Sequence, residues 1–131
     1  MNKYLLDTHI FLWSLLEPNH LSADVVGVLE DKNNILWLSP ITSWEVIVLA
    51  EKGRIQLNDK PQSWLRKVFQ TIPFCEAGIT HEVAMESRKL QLPHQDPADR
   101  FIAASAVVYG LTLITSDRNL LQSDACIILK N

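Results

Sequence analysis

Long apolar runs are missing from this chain. None approaches the roughly 18 residues that a membrane-spanning helix needs. The hydrophobic opening MNKYLLDTHIFLW meets an acid at Asp7, inside what would have to be the apolar region of a secretion signal. A cytoplasmic protein without membrane association is expected. Cysteine is scarce: Cys75 and Cys126 lie far apart in apolar surroundings, with no CxxC and no Cys/His spacing suited to zinc, so they read as buried thiols. His9, His20, His81 and His94 are scattered without a metal-ligand interval, and only His9 stands out, for its place near Asp7. The glycines Gly27, Gly53, Gly78 and Gly110 all stand alone, so there is no GxxxxGK phosphate loop and no GxSxG nucleophile elbow. Excess positive charge is absent as well. A formal charge of −3 argues against holding nucleic acid by bulk electrostatics, which needs clustered Lys and Arg. A local basic strip is left open: Arg66 with Lys67 and Arg88 with Lys89 read as solvated helix faces, whereas Arg100 and Arg118 each stand beside a candidate site acid.

What is present is one ordinary domain over residues 1–131, whose 47% hydrophobic and 21% charged residues suffice for a sizeable core. Short β-rich runs alternate with helical patterns, without repeats or linkers. Residues 3–6 (KYLL) read as a first strand, 10–16 as a helix stopped by Pro18, and 22–31 as a second helix. Residues 35–38 (ILWL) are a second strand. Ser39 and Pro40 then open a helix that ends before Gly53. Further helices are expected from Pro61, over 80–90, and from Pro97 to Tyr109 with Gly110 as terminator; further strands over 72–76, 111–115 and 126–129. This alternation predicts an α/β fold with a mainly parallel sheet covered on both faces. In such a sheet the helices that follow strands begin at its carboxyl edge, where ligand sites collect.

Four acids belong at that edge. Asp7 ends the first strand and Asp117 lies just past the strand LTLIT; Glu45 falls in the second turn of the helix opened by Ser39 and Pro40, and Asp99 in the first turn of the helix opened by Asp96 and Pro97. Each has a purely structural alternative: a cap, an exposed helix acid, a capping box, a turn. Yet Glu45 sits within the apolar WEVIVLA, and Asp7 directly follows a buried strand, where uncompensated charge is costly. Two like charges about 4 Å apart cost on the order of 4 kcal/mol at an effective dielectric near 20, against roughly 0.3 to 1 kcal/mol returned by a helix N-terminus. A cation resolves the conflict, and all-carboxylate ligation selects Mg²⁺ or Mn²⁺ over zinc. Such a site suits phosphodiester hydrolysis, in which the cation activates water and steadies the phosphoryl oxygens. Asp96 is expected to act as a helix cap. Aspartate-based phosphotransfer does not fit, because a haloacid-dehalogenase-like phosphatase needs DxD where this chain has Asp7, Thr8 and His9.

The segments LLDTHIFLW, SPITSWEVIVLAEKGRIQL, HQDPADRFIAASA and LTLITSD, in this order and spacing, resemble the PIN-domain nucleases, and among them the VapC-like toxins of bacterial type II toxin-antitoxin systems. The resemblance implies a three-layer α/β/α fold and a Mg²⁺- or Mn²⁺-dependent endoribonuclease acting on single-stranded RNA. By their place beside site acids, Arg100 and Arg118 are candidate contacts to substrate phosphates or partners of the acids, while the resemblance itself places catalytic and metal-binding roles on Asp7, Glu45, Asp99 and Asp117, with Thr8 and Ser116 in support. It further implies a cognate antitoxin, a homodimer, and promoter DNA bound only through the antitoxin. His9 departs from the small polar residue that many members carry, though the branch with LDTHxxLW shares it. The alternative is a PIN-like fold kept as a catalytically inactive protein-binding module, which has no need of four intact acids.

Overall fold

A computed structural model describes residues 2–92 and 96–131; His94, one of the four histidines, lies outside the described residues. The strands are β1 (Lys3–Leu6), β2 (Ile35–Leu38), β3 (Cys75–Glu76), β4 (Thr112–Thr115) and β5 (Ile128–Lys130). They pair in the order β3-β2-β1-β4-β5, and every pair is parallel. The helices are α1 (Thr8–Leu16), α2 (Ala23–Glu30), α3 (Pro40–Glu51), α4 (Pro61–Thr71), α5 (His81–Lys89), α6 (Pro97–Tyr109) and the short α7 (Arg118–Leu121).

Strand alternation divides the core between the two faces of the sheet. Leu6 and Ile114 join Ile10, Phe11, Val25, Val46 and Leu65 on one side. Leu5 and Leu113, their chain neighbours, join Ile102, Ala103, Ala106 and Leu120 on the other. The result is the expected three-layer α/β/α arrangement. Because both faces of β1 and β4 are covered, truncating Leu5 or Leu6 to Ala should cost about 2 to 5 kcal/mol.

The caps were written in the chain. The Ser39 hydroxyl accepts from the Ile41 N–H at 3.2 Å and Pro40 fixes the first turn of α3. Asp96 and Pro97 do the same for α6, with the Ala98 N–H donating to Asp96 Oδ1 at 3.0 Å. At the other end of α6, Gly110 takes φ 66°, the left-handed region open to glycine, and the Leu111 N–H closes back on the Ala106 carbonyl at 2.8 Å.

The structure moves several expected boundaries, among them the third strand, which spans Cys75–Glu76 rather than 72–76, and adds one helix. Helix α1 starts at Thr8 rather than Ile10, because Asp7 caps it. The last strand is Ile128–Lys130 rather than 126–129: pairing of Leu113 with Ile128 and Thr115 with Lys130 sets its span, not the apolar run. Helix α7, at Arg118, was not expected at all. No helix among the described residues is long and apolar enough to cross a membrane.

Candidate active site

β1 and β4 are neighbours whose onward connections run to opposite sides of the sheet, toward β2 and β5 respectively. A crevice must open beyond the carboxyl ends of two such strands. Here it is a cavity of about 300 Å³ lined by Asp7, Glu45, Asp96, Asp99 and Asp117, with Thr8, His9, Trp13 and Ser116 completing its walls. The four acids expected at the sheet edge thus share one cavity.

Asp7 is 7% exposed and both its carboxylate oxygens are engaged. Oδ1 accepts from the Thr8 N–H at 2.8 Å, as the cap of α1; Oδ2 accepts from the Thr115 hydroxyl at 2.6 Å. Burial pushes its pKa up; the two hydrogen bonds and nearby His9 oppose that shift, and Asp117 adds to it. Asp117 caps α7, its Oδ1 accepting from the Asn119 N–H at 2.8 Å and the Leu120 N–H at 3.3 Å. Its own N–H donates to the Thr115 hydroxyl at 3.0 Å. One threonine therefore joins the two strand-end acids. Parallel pairing of Leu6 with Ile114 sets Thr115 across from Asp7, which is why this contact forms.

Glu45 enters from α3 and is half-buried. Its Oε1 accepts from the Thr8 hydroxyl at 2.5 Å, and that hydroxyl also lies 3.0 Å from the Thr42 hydroxyl. Burial raises its pKa, with Asp7 and Asp96 adding to the shift, while the Thr8 bond and His9 oppose it. Asp99, from the first turn of α6, is pushed up to about 8: burial is the largest cause, followed by the charges of Asp7, Asp117, Asp96 and Glu45. Every other acid of the cavity acts on it in the same direction. No three described His, Cys, Asp or Glu side chains are closed around a single point; Asp7 and Glu45 are held on threonine hydroxyls instead.

Of the supporting residues, Thr8 donates to Glu45, whereas Ser116 lines the cavity and the hydroxyl on Asp7 belongs to Thr115. Thr42 and Thr115 do not stand out in the sequence; the signal there is the position of Thr115, last in its strand and two residues before Asp117. Asp96 keeps its cap role and also lines the cavity, so its charge bears on Glu45 and Asp99. Arg100 requires a correction as a phosphate contact. It is 5% exposed, and its Nε and Nη2 donate at 2.9 Å to the carbonyls of Ser87 and Leu90 at the end of α5. Consecutive helix residues point about 100° apart, which turns Arg100 away from the cavity that Asp99 faces. Arg118 is exposed and does not line the cavity. Of the other basic pairs, Lys67 is held by Asp59 at 2.7 Å.

The PIN-domain family profile matches residues 4–125, nearly the whole chain. This chain belongs to the PIN-domain family. Within that family it is VapC-like: it is 36% identical over 123 residues, 92% of this chain and 91% of the relative, to ribonuclease VapC22 of Mycobacterium tuberculosis. Solved structures share the PIN architecture at lower identity. VapBC2 of Rickettsia felis, bound to a fragment of its promoter DNA, superposes with a TM-score of 0.72 at 18% identity, covering 98% of both chains. DNA-bound VapBC of Salmonella typhimurium gives a TM-score of 0.69 at 21% identity, covering 99% of this chain and 98% of that one.

Proposed function

We propose that this PIN domain is the VapC-like toxin of a type II toxin-antitoxin pair, an endoribonuclease that hydrolyses single-stranded RNA with Mg²⁺ or Mn²⁺. The observation that carries the reading is the convergence of Asp7, Glu45, Asp99 and Asp117, from four separate segments, on one cavity. A structural cluster would have no reason to bring so many acids together that burial and repulsion hold Asp99 protonated near neutral pH. The donor set is all oxygen, it offers no thiolate, and it is short of positive charge; those properties fit a hard divalent cation.

Asp7, Glu45 and Asp99 are the ligands in this reading, direct or through water, and Asp117 completes the set. When bound, the cation supplies charge neutralisation, activation of water and stabilisation of phosphoryl oxygens. The chain's own contribution is placement. Thr115 fixes the Asp7 carboxylate and the backbone of Asp117, Thr8 fixes Glu45, and the caps of α6 and α7 hold the starts of those helices at the cavity. The solved VapBC complexes support a cognate antitoxin as partner; promoter DNA bound through that antitoxin and a homodimer are part of the same proposal.

Incubating the purified chain with a mixed RNA pool in Mg²⁺, Mn²⁺ or a chelator, and mapping the cleaved ends, tests the reading. Cleavage should need the cation and disappear in Asp99→Asn. Cleavage that persists in chelator would overturn the metal role. No cleavage under any condition would favour the binding-module alternative.

A further inference from the structure

The acidic cavity does not stop at Glu45. A groove of about 610 Å³ continues along α3, sharing Glu45 and Asp96 with the cavity, and its chemistry changes along its length. Ile41, Trp44 and Val48 stand three and four residues apart, forming one stripe of the helix. Trp44 leaves 59% of its surface exposed. Lys52 then lies two turns beyond Glu45, roughly 10 Å along the helix axis. Arg54 follows it across Gly53, whose φ of 70° redirects the chain. Neither cation has an ion-pair partner among the described residues; the pairs there are His20 with Glu17 and Lys67 with Asp59.

A bare indole face beside an acidic centre, with two unpartnered cations two turns farther along the helix, is the combination that single-strand binders use: a stacking platform and contacts to phosphate. A second copy of this chain would cover the apolar stripe but could pair Lys52 and Arg54 only by committing acids of its own groove, Glu45 and Asp96, which also line the cavity. A nucleic-acid strand meets both with one repeating unit, base and phosphate. In a chain of net charge −3, such a strip is also where backbone affinity must come from. We propose that the α3 groove carries the RNA strand flanking the scissile bond, with Trp44 stacked on an unpaired base and Lys52 and Arg54 holding phosphates. This path presupposes the ribonuclease activity proposed above and adds the side of the cavity along which substrate lies.

The test is steady-state cleavage of a single-stranded RNA oligonucleotide in Mn²⁺ over a range of salt. Trp44→Ala should raise KM about tenfold with kcat within about twofold, as expected for loss of one stacked base, and Trp44→Phe should restore most of the loss. Lys52→Ala with Arg54→Ala should flatten the slope of log affinity against log salt by about 1.4, about 0.7 for each phosphate contact to a single strand. These exposed side chains should leave the melting temperature unchanged; if Trp44→Ala does not fold, the double variant carries the test. A wild-type chain that cleaves while both variants keep its KM and salt slope overturns the groove and leaves the nuclease standing. A wild-type chain that never cleaves overturns both. Loss of a dimer in Trp44→Ala by sedimentation, with KM unchanged, overturns the groove in favour of a subunit interface.

Discussion

The two sides of the acidic cavity are built on different principles. On the strand side, Asp7 and Asp117 are wired in place: each caps a helix, and Thr115 bonds to both. On the α6 side, Asp99 is held up to about 8 by burial and by four surrounding acids. Position on the first side comes from hydrogen bonds, and charge is tolerated because donors meet it. On the second side charge is not tolerated until something positive arrives. A cation site needs both, a fixed floor to define where the ion sits and a frustrated wall to draw it in.

The contrast is broken most sharply by removing one acid from each side. Asp7→Ala and Asp99→Ala should each lower cleavage by roughly 100-fold or more, yet move the cation-free melting temperature in opposite directions. Asp7→Ala leaves the Thr8 N–H and the Thr115 hydroxyl without their acceptor and should cost about 1 to 3 kcal/mol. Asp99→Ala relieves repulsion and should stabilise. Parallel shifts in the two variants would sink the distinction. Asp7→Asn, which keeps an acceptor for the cap, should lose cleavage with the fold intact.

The pH dependence sharpens the same point. Asp99 has an unfolded value of 3.8 and a folded value of about 8. Between those values the folded state keeps a proton that the unfolded state has released, so this group's contribution to cation-free stability falls as pH rises and levels off above about 8. Thermal stabilisation by Mn²⁺ should accordingly grow from pH 6 toward pH 8, as fewer protons compete with the ion. Melting curves at several pH values, with and without Mn²⁺, check both slopes, and Asp99→Asn should flatten the cation-free one.

Thr115→Val is the next test in size. It removes the donor to Asp7 and the acceptor for the Asp117 N–H, and should cost about 1 to 2 kcal/mol with a roughly tenfold loss of cleavage. Thr115→Ser should recover most of both. The smallest effect is expected at Asp96→Ala: about 1 kcal/mol of stability as a lost cap, and a modest change in cleavage. Abolished cleavage at an unchanged melting temperature would instead move Asp96 among the ligands.

Much of the fold was legible because its signals are local. Apolar runs bounded by caps marked β1, β2 and α3, and Pro97 with Gly110 bracketed α6. The four acids were legible for the same reason: a parallel sheet converts "just after a strand" into "at the carboxyl edge". What escaped depends on register or rotation. Thr115 reads as an ordinary β-branched strand residue until pairing of Leu6 with Ile114 sets it opposite Asp7. Arg100, next to Asp99 in the chain, suggested a shared site, and one step of helical rotation sent it to the carbonyls of Ser87 and Leu90 instead. The strand near residue 128 was misplaced because Lys130, polar and exposed, belongs to it through pairing alone.

The Thr115 hydroxyl has one proton and serves two masters: it donates to Asp7 while accepting from the Asp117 backbone. A proton on Asp7 Oδ2 would displace the hydroxyl's donation there and, donated to the Thr115 oxygen, would compete with the Asp117 N–H for it, slackening the hold on the first turn of α7. Because the charges of Asp7 and Glu45 also act through space on Asp99, a proton gained at either of them weakens the hold on the proton at Asp99. A titration followed at Asp99 would therefore trace steps that it shares with Asp7 and Glu45.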